Sequence, residues 1–275
     1  MSDIIKATAE LLVSLRSNKP LVHNITNYVT VNDCANVILA IGASPIMADD
    51  IGEAAEITAI SSALVINIGT LNQRTVESML AAGKKANELG IPVVFDPVGA
   101  GASRLRNETT RTILSEVKVS VVRGNMSEIS FIAGLNANTK GVDAAEEDIV
   151  SGDAVQAAIA VAKKLGCVAS VTGATDIITD GKKIAAVSNG HKMLSDVTGT
   201  GCMTTALVGS FCGAGRDAFV AAVAGIAAMG IAGEIAYESA GGKGTGSFHT
   251  AIIDAISRLD GKIISERARI NETNC

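Results

Sequence analysis

The stretch from Leu64 to Phe95, LVINIGTLNQRTVESMLAAGKKANELGIPVVF, contains a whole strand–helix–strand unit. Leu64 to Ile68 is an apolar run of strand length, and Gln73 to Leu89 is amphipathic at helical spacing. Gly90 and Pro92 stop that helix before Val93 to Phe95 begins a second strand. Near-continuous apolar strands are what a parallel sheet requires when helices cover both of its faces. Runs of the same kind recur at Leu21 to Ile25, Ser44 to Met47, Val119 to Val122 and Val168 to Val171, with helical stretches between them such as Asp153 to Leu165, ended by Gly166. The sequence therefore predicts an α/β fold, a three-layer α/β/α sandwich with a mostly parallel central sheet. Two short strands about Asp180-Gly181, within Ile177 to Val187, predict a hairpin. From Thr198 onward strands are expected to stop, leaving successive helices to about Leu259. No linker, repeat or low-complexity stretch breaks the progression, so residues 1–275 are expected to form one domain.

The composition narrows the ligands. With 23 basic against 28 acidic side chains the net charge is −5, and only 3% of residues are aromatic. Such a chain has neither the basic stripe nor the stacking platform that nucleic acid demands, and it suits an anionic membrane surface no better. Small molecules are the expected partners. Ala218 to Gly233 is uncharged and almost wholly apolar, but it is short of the roughly 20 residues a membrane span needs and rich in Ala and Gly, so it reads as a buried core helix. Five scattered cysteines without C-x-x-C spacing argue against disulfides or a zinc site and for a reducing compartment. The N-terminus lacks the pattern of a signal peptide, and a cytoplasmic location is expected. Cys34, Cys167 and Cys212 read as buried hydrophobes, and Cys275 as disordered.

Ligands of open α/β sheets gather at the carboxyl ends of strands, which directs attention to the polar residues there. Neither a P-loop nor a complete dinucleotide fingerprint is present. The most informative stretch is Asp196-Val197-Thr198-Gly199-Thr200-Gly201-Cys202, where two glycines precede a long helical run. The backbone N–H groups of Gly199, Thr200 and Gly201 at that helix start would form an anion site suited to phosphate, although a flexible turn before a core helix has the same pattern. Cys202 lies in the first turn, where the same field is expected to favour a thiolate and so a base or nucleophile. Asp96, at a strand end before Pro97-Val98-Gly99, would face a metal-bound polyphosphate. Asn125 and Glu128, three apart, suit water-mediated Mg²⁺, with Arg123 answering phosphate charge; an N-capping box explains the same spacing equally well. The polar cluster His23-Asn24-Ile25-Thr26-Asn27 follows a strand and would hydrogen-bond a small polar heterocycle. Met47 is a candidate apolar wall or a core residue, and Thr172-Gly173 adds donors at another strand end.

Taken in order, H-N-I-T-N-Y-V, F-D-P-V-G-A-G, R-G-N-x-x-E, V-T-G and T-G-T-G-C closely resemble the hydroxyethylthiazole kinases of thiamine biosynthesis and salvage, within the ribokinase-like superfamily. The similarity covers roughly residues 5 to 260. It implies phosphorylation of 4-methyl-5-(2-hydroxyethyl)thiazole by Mg²⁺·ATP in a homotrimer with thiazole pockets at subunit interfaces. Carried over by position, Asn24, Met47 and Gly199 would contact the thiazole, Arg123 and Thr172 would bind ATP, and Asp96, Asn125 and Glu128 would hold Mg²⁺ through waters. Most ribokinase relatives have an Asp base at the position of Cys202, whereas the thiazole kinases characteristically have Cys there, so the chain matches the narrower family. The chain departs from that family at Lys243-Gly244-Thr245-Gly246-Ser247-Phe248, where Pro more often replaces Thr245, so loop rigidity is expected to differ. Competing readings are another small-alcohol kinase such as a hydroxymethylpyrimidine kinase, a hydrolase in which Cys202 is a nucleophile activated by His23, His191 or His249, and a catalytically silent sensor.

Overall fold

The central apolar runs become strands buried on both sides, while that at Ser44 forms a half-buried edge strand, and the computed structural model describes them within residues 2–135 and 146–275. In chain order the elements are α1 (Asp3–Asn18), β1 (Leu21–Ile25), α2 (Val31–Ile41), β2 (Ser44–Ile46), α3 (Ala54–Ala59), β3 (Ala63–Asn67), α4 (Gln73–Leu89), β4 (Val93–Asp96) and α5 (Arg104–Glu116). There follow β5 (Val121–Asn125), α6 (Met126–Ala133), α7 (Glu146–Leu165), β6 (Val168–Thr172), β7 (Asp176–Thr179), β8 (Lys183–Val187), α8 (Thr200–Ala214), α9 (Ala218–Ala240), α10 (Thr245–Arg258), α11 (Gly261–Arg267) and β9 (Ile270–Asn274). The expected α/β/α sandwich is present. α4 has the bounds its sequence predicts, because Asn72 caps it by accepting the Thr75 N–H and Gly90 ends it at φ +70°.

The nine strands among the described residues join one sheet in the order β2-β1-β3-β4-β5-β6-β7-β8-β9. The pairings from β2 through β6 are parallel, and β7, β8 and β9 add an antiparallel edge. Successive strand residues feed two cores. Val65, Val94 and Val121 face α1, α2, α8, α9 and α10, whereas Leu64, Phe95 and Val122 face α4 to α7. α8 and α9 are buried nearly all round. Gly225 permits their approach, since a Cβ there would stand 2.7 Å from the Val208 Cα. α9 is long and apolar enough to cross a membrane, but 78% of its most apolar window is buried within the fold, in agreement with a core helix.

Three expectations need correction. β5 begins two residues later than Val119 and continues through Arg123 and Gly124 to Asn125, because the ladder to β6 extends to the Asn125–Thr172 pair. Strands do not end at Thr198: β9 returns to pair with β8, its polar sequence hidden from periodicity because it lies at an exposed edge. Cys275 is not loose, since its N–H donates to the Lys182 carbonyl at 2.8 Å. The one-domain expectation includes residues 1 and 136–145, which lie outside the described residues.

Candidate active site

The chain leaves β1, forms β2 on one side of it and then crosses to β3 on the other, so strand order reverses around β1. A crevice at the carboxyl ends of the strands follows from that reversal. Here it is a cavity of about 400 Å³ whose walls are Asn27 and Thr30 after β1, Gly69 after β3, Asp96 on β4, Arg123 and Asn125 on β5, Glu128, Thr172 on β6, and Thr198, Gly199, Gly201 and Cys202 at the start of α8. A larger hollow of about 950 Å³ shares Asn125 and Glu128 but lacks Cys202 and Asp96.

Gly199 caps α8 at φ +90°, ψ −6°, and a Cβ there would lie 2.5 Å from the Thr30 Cγ2. Only glycine fits both demands. The first-turn amides of α8 have no carbonyl one turn earlier in the helix, which leaves them free for an anion. The Thr200 hydroxyl donates to the Leu194 carbonyl at 3.0 Å, so its side chain is committed away from the cavity that Gly199 and Gly201 line.

Arg123 and Thr172 are brought together. The Arg123 guanidinium donates to the Gly201 carbonyl at 3.1 Å and to the Thr172 Oγ1 at 3.2 Å, and stands 3.8 Å from the Asp96 carboxylate. Its buried Nε has no partner, an orphaned donor beside the cavity. The capping box at Asn125 and Glu128 is real: the Asn125 Oδ1 accepts the Glu128 N–H at 3.0 Å, and the Glu128 Oε2 accepts the Asn125 N–H at 2.8 Å. The Glu128 Oε1 accepts the Gly99 N–H. Both carboxylate oxygens thus face backbone donors, which leaves lone pairs for water more readily than for direct metal ligation. Among the described residues no cluster of three or more His, Cys, Asp or Glu side chains is arranged to ligate a metal.

Asp96 is buried and accepts from the Asn67 amide at 2.9 Å and the Thr205 hydroxyl at 2.7 Å, both through Oδ2. Burial lifts its pKa from 3.8 to about 6, with Arg123 and these two bonds opposing the rise. The Cys202 sulfur receives the Asn27 amide at 3.2 Å and the Asn67 amide at 3.3 Å. The thiolate expected from the helix field is corrected: burial first, and the Asp96 charge second, push the Cys202 pKa up. Loss of water outweighs a partial charge of a helix end.

No histidine is hydrogen-bonded to Cys202 among the described residues. His23 is held inside by Thr58 and the Ala48 carbonyl, His191 stacks on Tyr237, and His249 pairs with Asp33. The cysteine-hydrolase arrangement is absent from this set. Asn24 and Met47 do not line the cavity. Asn24 is buried, its Nδ2 donating to the Val22 carbonyl and its Oδ1 unpartnered, while Met47 is half-buried against the core. Asn67 and Thr205 escaped the sequence reading. An Asn inside the apolar run Leu64 to Ile68 was the available signal for Asn67; nothing local marks Thr205.

A profile of the hydroxyethylthiazole kinase family matches residues 12–262. The chain is 72% identical over 272 residues to the hydroxyethylthiazole kinase of Ruminiclostridium cellulolyticum, covering 99% of this chain and 100% of that one. The structure of hydroxyethylthiazole kinase from Pyrococcus horikoshii superposes with TM-score 0.88 at 41% identity, over 97% of this chain and 98% of that one. A ribokinase-like superfamily protein from Enterococcus faecalis superposes with TM-score 0.59 at 9% identity, over 94% of this chain and 83% of that one, a likeness of fold.

Proposed function

The chain belongs to the hydroxyethylthiazole kinase family, and from that premise we propose how it transfers a phosphoryl group. It phosphorylates the hydroxyethyl group of 4-methyl-5-(2-hydroxyethyl)thiazole, a step of thiamine biosynthesis. The observation that carries the mechanism is the convergence of the α8 amides, Cys202, Asp96 and Arg123 on one cavity.

ATP brings its terminal phosphoryl group to the amides of Gly199, Thr200 and Gly201, with Arg123 and Thr172 holding the nucleotide's phosphates. The alcohol oxygen forms a bond to phosphorus as the bond to the bridging oxygen breaks, and that electron pair stays on departing ADP. A loose transition state asks chiefly for alignment and charge neutralisation. Cys202 rests as a thiol, which must release its own proton before it can accept another, so its first task is to orient the alcohol. The fraction of Cys202 that has given its proton to solvent takes the hydroxyl proton late, once bonding to phosphorus has made that proton acidic, and ends as the thiol. Asp96, Asn125 and Glu128 offer hard oxygen donors beside the cavity, and their existing hydrogen bonds fit Mg²⁺ held through waters. Bound there, the ion would neutralise phosphate charge.

The whole chain, residues 1–275, acts as one cytoplasmic domain in this reading, and a homotrimer places Asn24 and Met47 beside a thiazole pocket at the subunit interface. Exposed Val29, which lines the cavity, and its exposed neighbour Tyr28 support an interface there. The test is ADP release with the hydroxyethylthiazole or hydroxymethylpyrimidine, with and without Mg²⁺. Thiazole- and Mg²⁺-dependent release is expected, and Cys202→Asp remains active while Cys202→Ala loses about 10²-fold in kcat. Activity with the pyrimidine alone would overturn the substrate; loss in Cys202→Asp with folding intact would overturn the proton-acceptor role.

A further inference from the structure

Neither Asn27 nor Asn67 has a part in the mechanism above, yet both amides end on the Cys202 sulfur. Their orientation is dictated by neighbours that leave no choice. The Asn67 Oδ1 accepts the Gly69 backbone N–H at 2.9 Å, so its Nδ2 is the atom facing Asp96 and Cys202. The Asn27 Oδ1 accepts the Thr30 N–H at 3.2 Å and the Thr30 hydroxyl at 3.1 Å, so its Nδ2 faces the sulfur and the Asn67 Oδ1. Both residues are almost fully buried, and the chain has fixed them from two different strand ends.

We propose that Asn27 and Asn67 are positioning residues, a two-amide clamp that holds the Cys202 sulfur as an acceptor and leaves it one direction in which to exchange a proton. A thiol sulfur has two lone pairs and one hydrogen. With two amides on the lone pairs, and the neighbouring Thr30 hydroxyl giving its hydrogen to the Asn27 Oδ1, the S–H takes the remaining direction. In the thiolate a third lone pair occupies the place the hydrogen left, so thiol and thiolate address the same point. The alcohol must present its hydroxyl there. This deepens the reading of Cys202 as proton acceptor and rests on it for its catalytic consequence, but the clamp itself is a matter of geometry.

Two variants test it. Asn67→Ala removes one donor from the sulfur, and also one from Asp96. Asn27→Ala removes the other donor without adding a charge and leaves the Asn67–Asp96 bond in place. Each is checked for folding by circular dichroism, then alkylated with iodoacetamide at about pH 8, with modification at Cys202 followed by peptide mass spectrometry. Loss of a donor disfavours the thiolate, so alkylation of Cys202 is expected to slow about fivefold in both variants. A sulfur that had merely been packed would react at the same rate or faster, which would overturn the clamp. In turnover, kcat is expected to fall about tenfold with KM for the thiazole changed less than about threefold. In a Cys202→Ala background neither substitution should change the residual kcat by more than about twofold. Full additivity there would show that the asparagines act elsewhere, for instance through Asp96, and would overturn the positioning role. Should Cys202→Ala retain full activity, the proton-acceptor reading fails, while the alkylation rates still decide whether the amides hold the sulfur.

Discussion

Gly-Thr-Gly occurs at residues 199–201 and again at 244–246, and each copy opens a helix with its first glycine at positive φ, +90° at Gly199 and +105° at Gly244. There the likeness ends. Around the first copy, a Cβ on Gly199 would strike Thr30, a Cβ on Gly201 would come within 3.1 Å of Arg123, and α8 behind it is a core helix. Around the second copy a Cβ on Gly244 or Gly246 would meet nothing within 4 Å, and most of the segment is exposed. The same local sequence opens a helix twice, from the left-handed region at Gly199 and from φ +105°, ψ 168° at Gly244, but only the copy at the carboxyl ends of the parallel strands is surrounded by charges and donors. A glycine motif supplies conformation; its surroundings supply chemistry.

The contrast is exposed to direct attack. Gly199→Ala combines an unfavourable φ with a collision against Thr30, and displacement of the α8 amides is expected to cost about 10²-fold or more in kcat/KM in the ADP-release assay. A variant with near-normal turnover would break the claim that this copy is the phosphoryl cup. Next in size is a pH effect that belongs to the first copy alone. Between its ordinary 3.8 and about 6, native Asp96 keeps a proton that the unfolded chain has released. Stability of the ligand-free protein should therefore fall, by about 3 kcal/mol for this group, as pH rises through that window, and level off above it. Urea denaturation at several pH values measures the slope. Asp96→Asn should reduce the slope without abolishing it, because burial lifts Asp176 to about 6 as well.

At the second copy the expected effects are on stability. Gly244 sits at φ +105°, ψ 168°, a region almost confined to glycine, so Gly244→Ala should lower stability by about 1–3 kcal/mol while leaving kcat within about twofold. A fall in kcat at preserved stability would make this segment part of the site and erase the distinction. The smallest effect is expected at Thr245, the first residue of α10, where proline is a favoured helix opener. Thr245→Pro should raise the midpoint of thermal unfolding, by about 0.4–1 kcal/mol in stability, with unchanged turnover. The rigidity difference anticipated for this loop is then a property of the unfolded chain more than of the site.

Much of this architecture is legible locally. The bounds of α4 follow from Asn72, Gly90 and an amphipathic period, and the hairpin from Asp180-Gly181. β9 was not legible, because an edge strand of polar residues has no apolar face to announce it. At the site, Asp96, Arg123, Thr172 and Cys202 could be marked from motif positions and are found around one cavity. Asn24 and Met47 were marked in the same way and are found outside it. Asn125 and Glu128 illustrate why spacing has limits: three residues apart on a helix start serves a capping box and a metal site alike, and here the cap is formed.

What the sequence determined by itself is everything that depends on neighbours within a turn or a strand: the apolar strands, the helix stops, and the glycines that free the amides of α8. Only the tertiary structure decided that Asn27 and Asn67, 175 and 135 residues from Cys202, would meet at its sulfur, and that Cys202 would be buried close enough to Asp96 for that charge to raise its proton affinity. The reason is physical. Backbone conformation responds to local sterics and periodicity, whereas protonation and donor geometry depend on how much water is removed and which distant groups replace it.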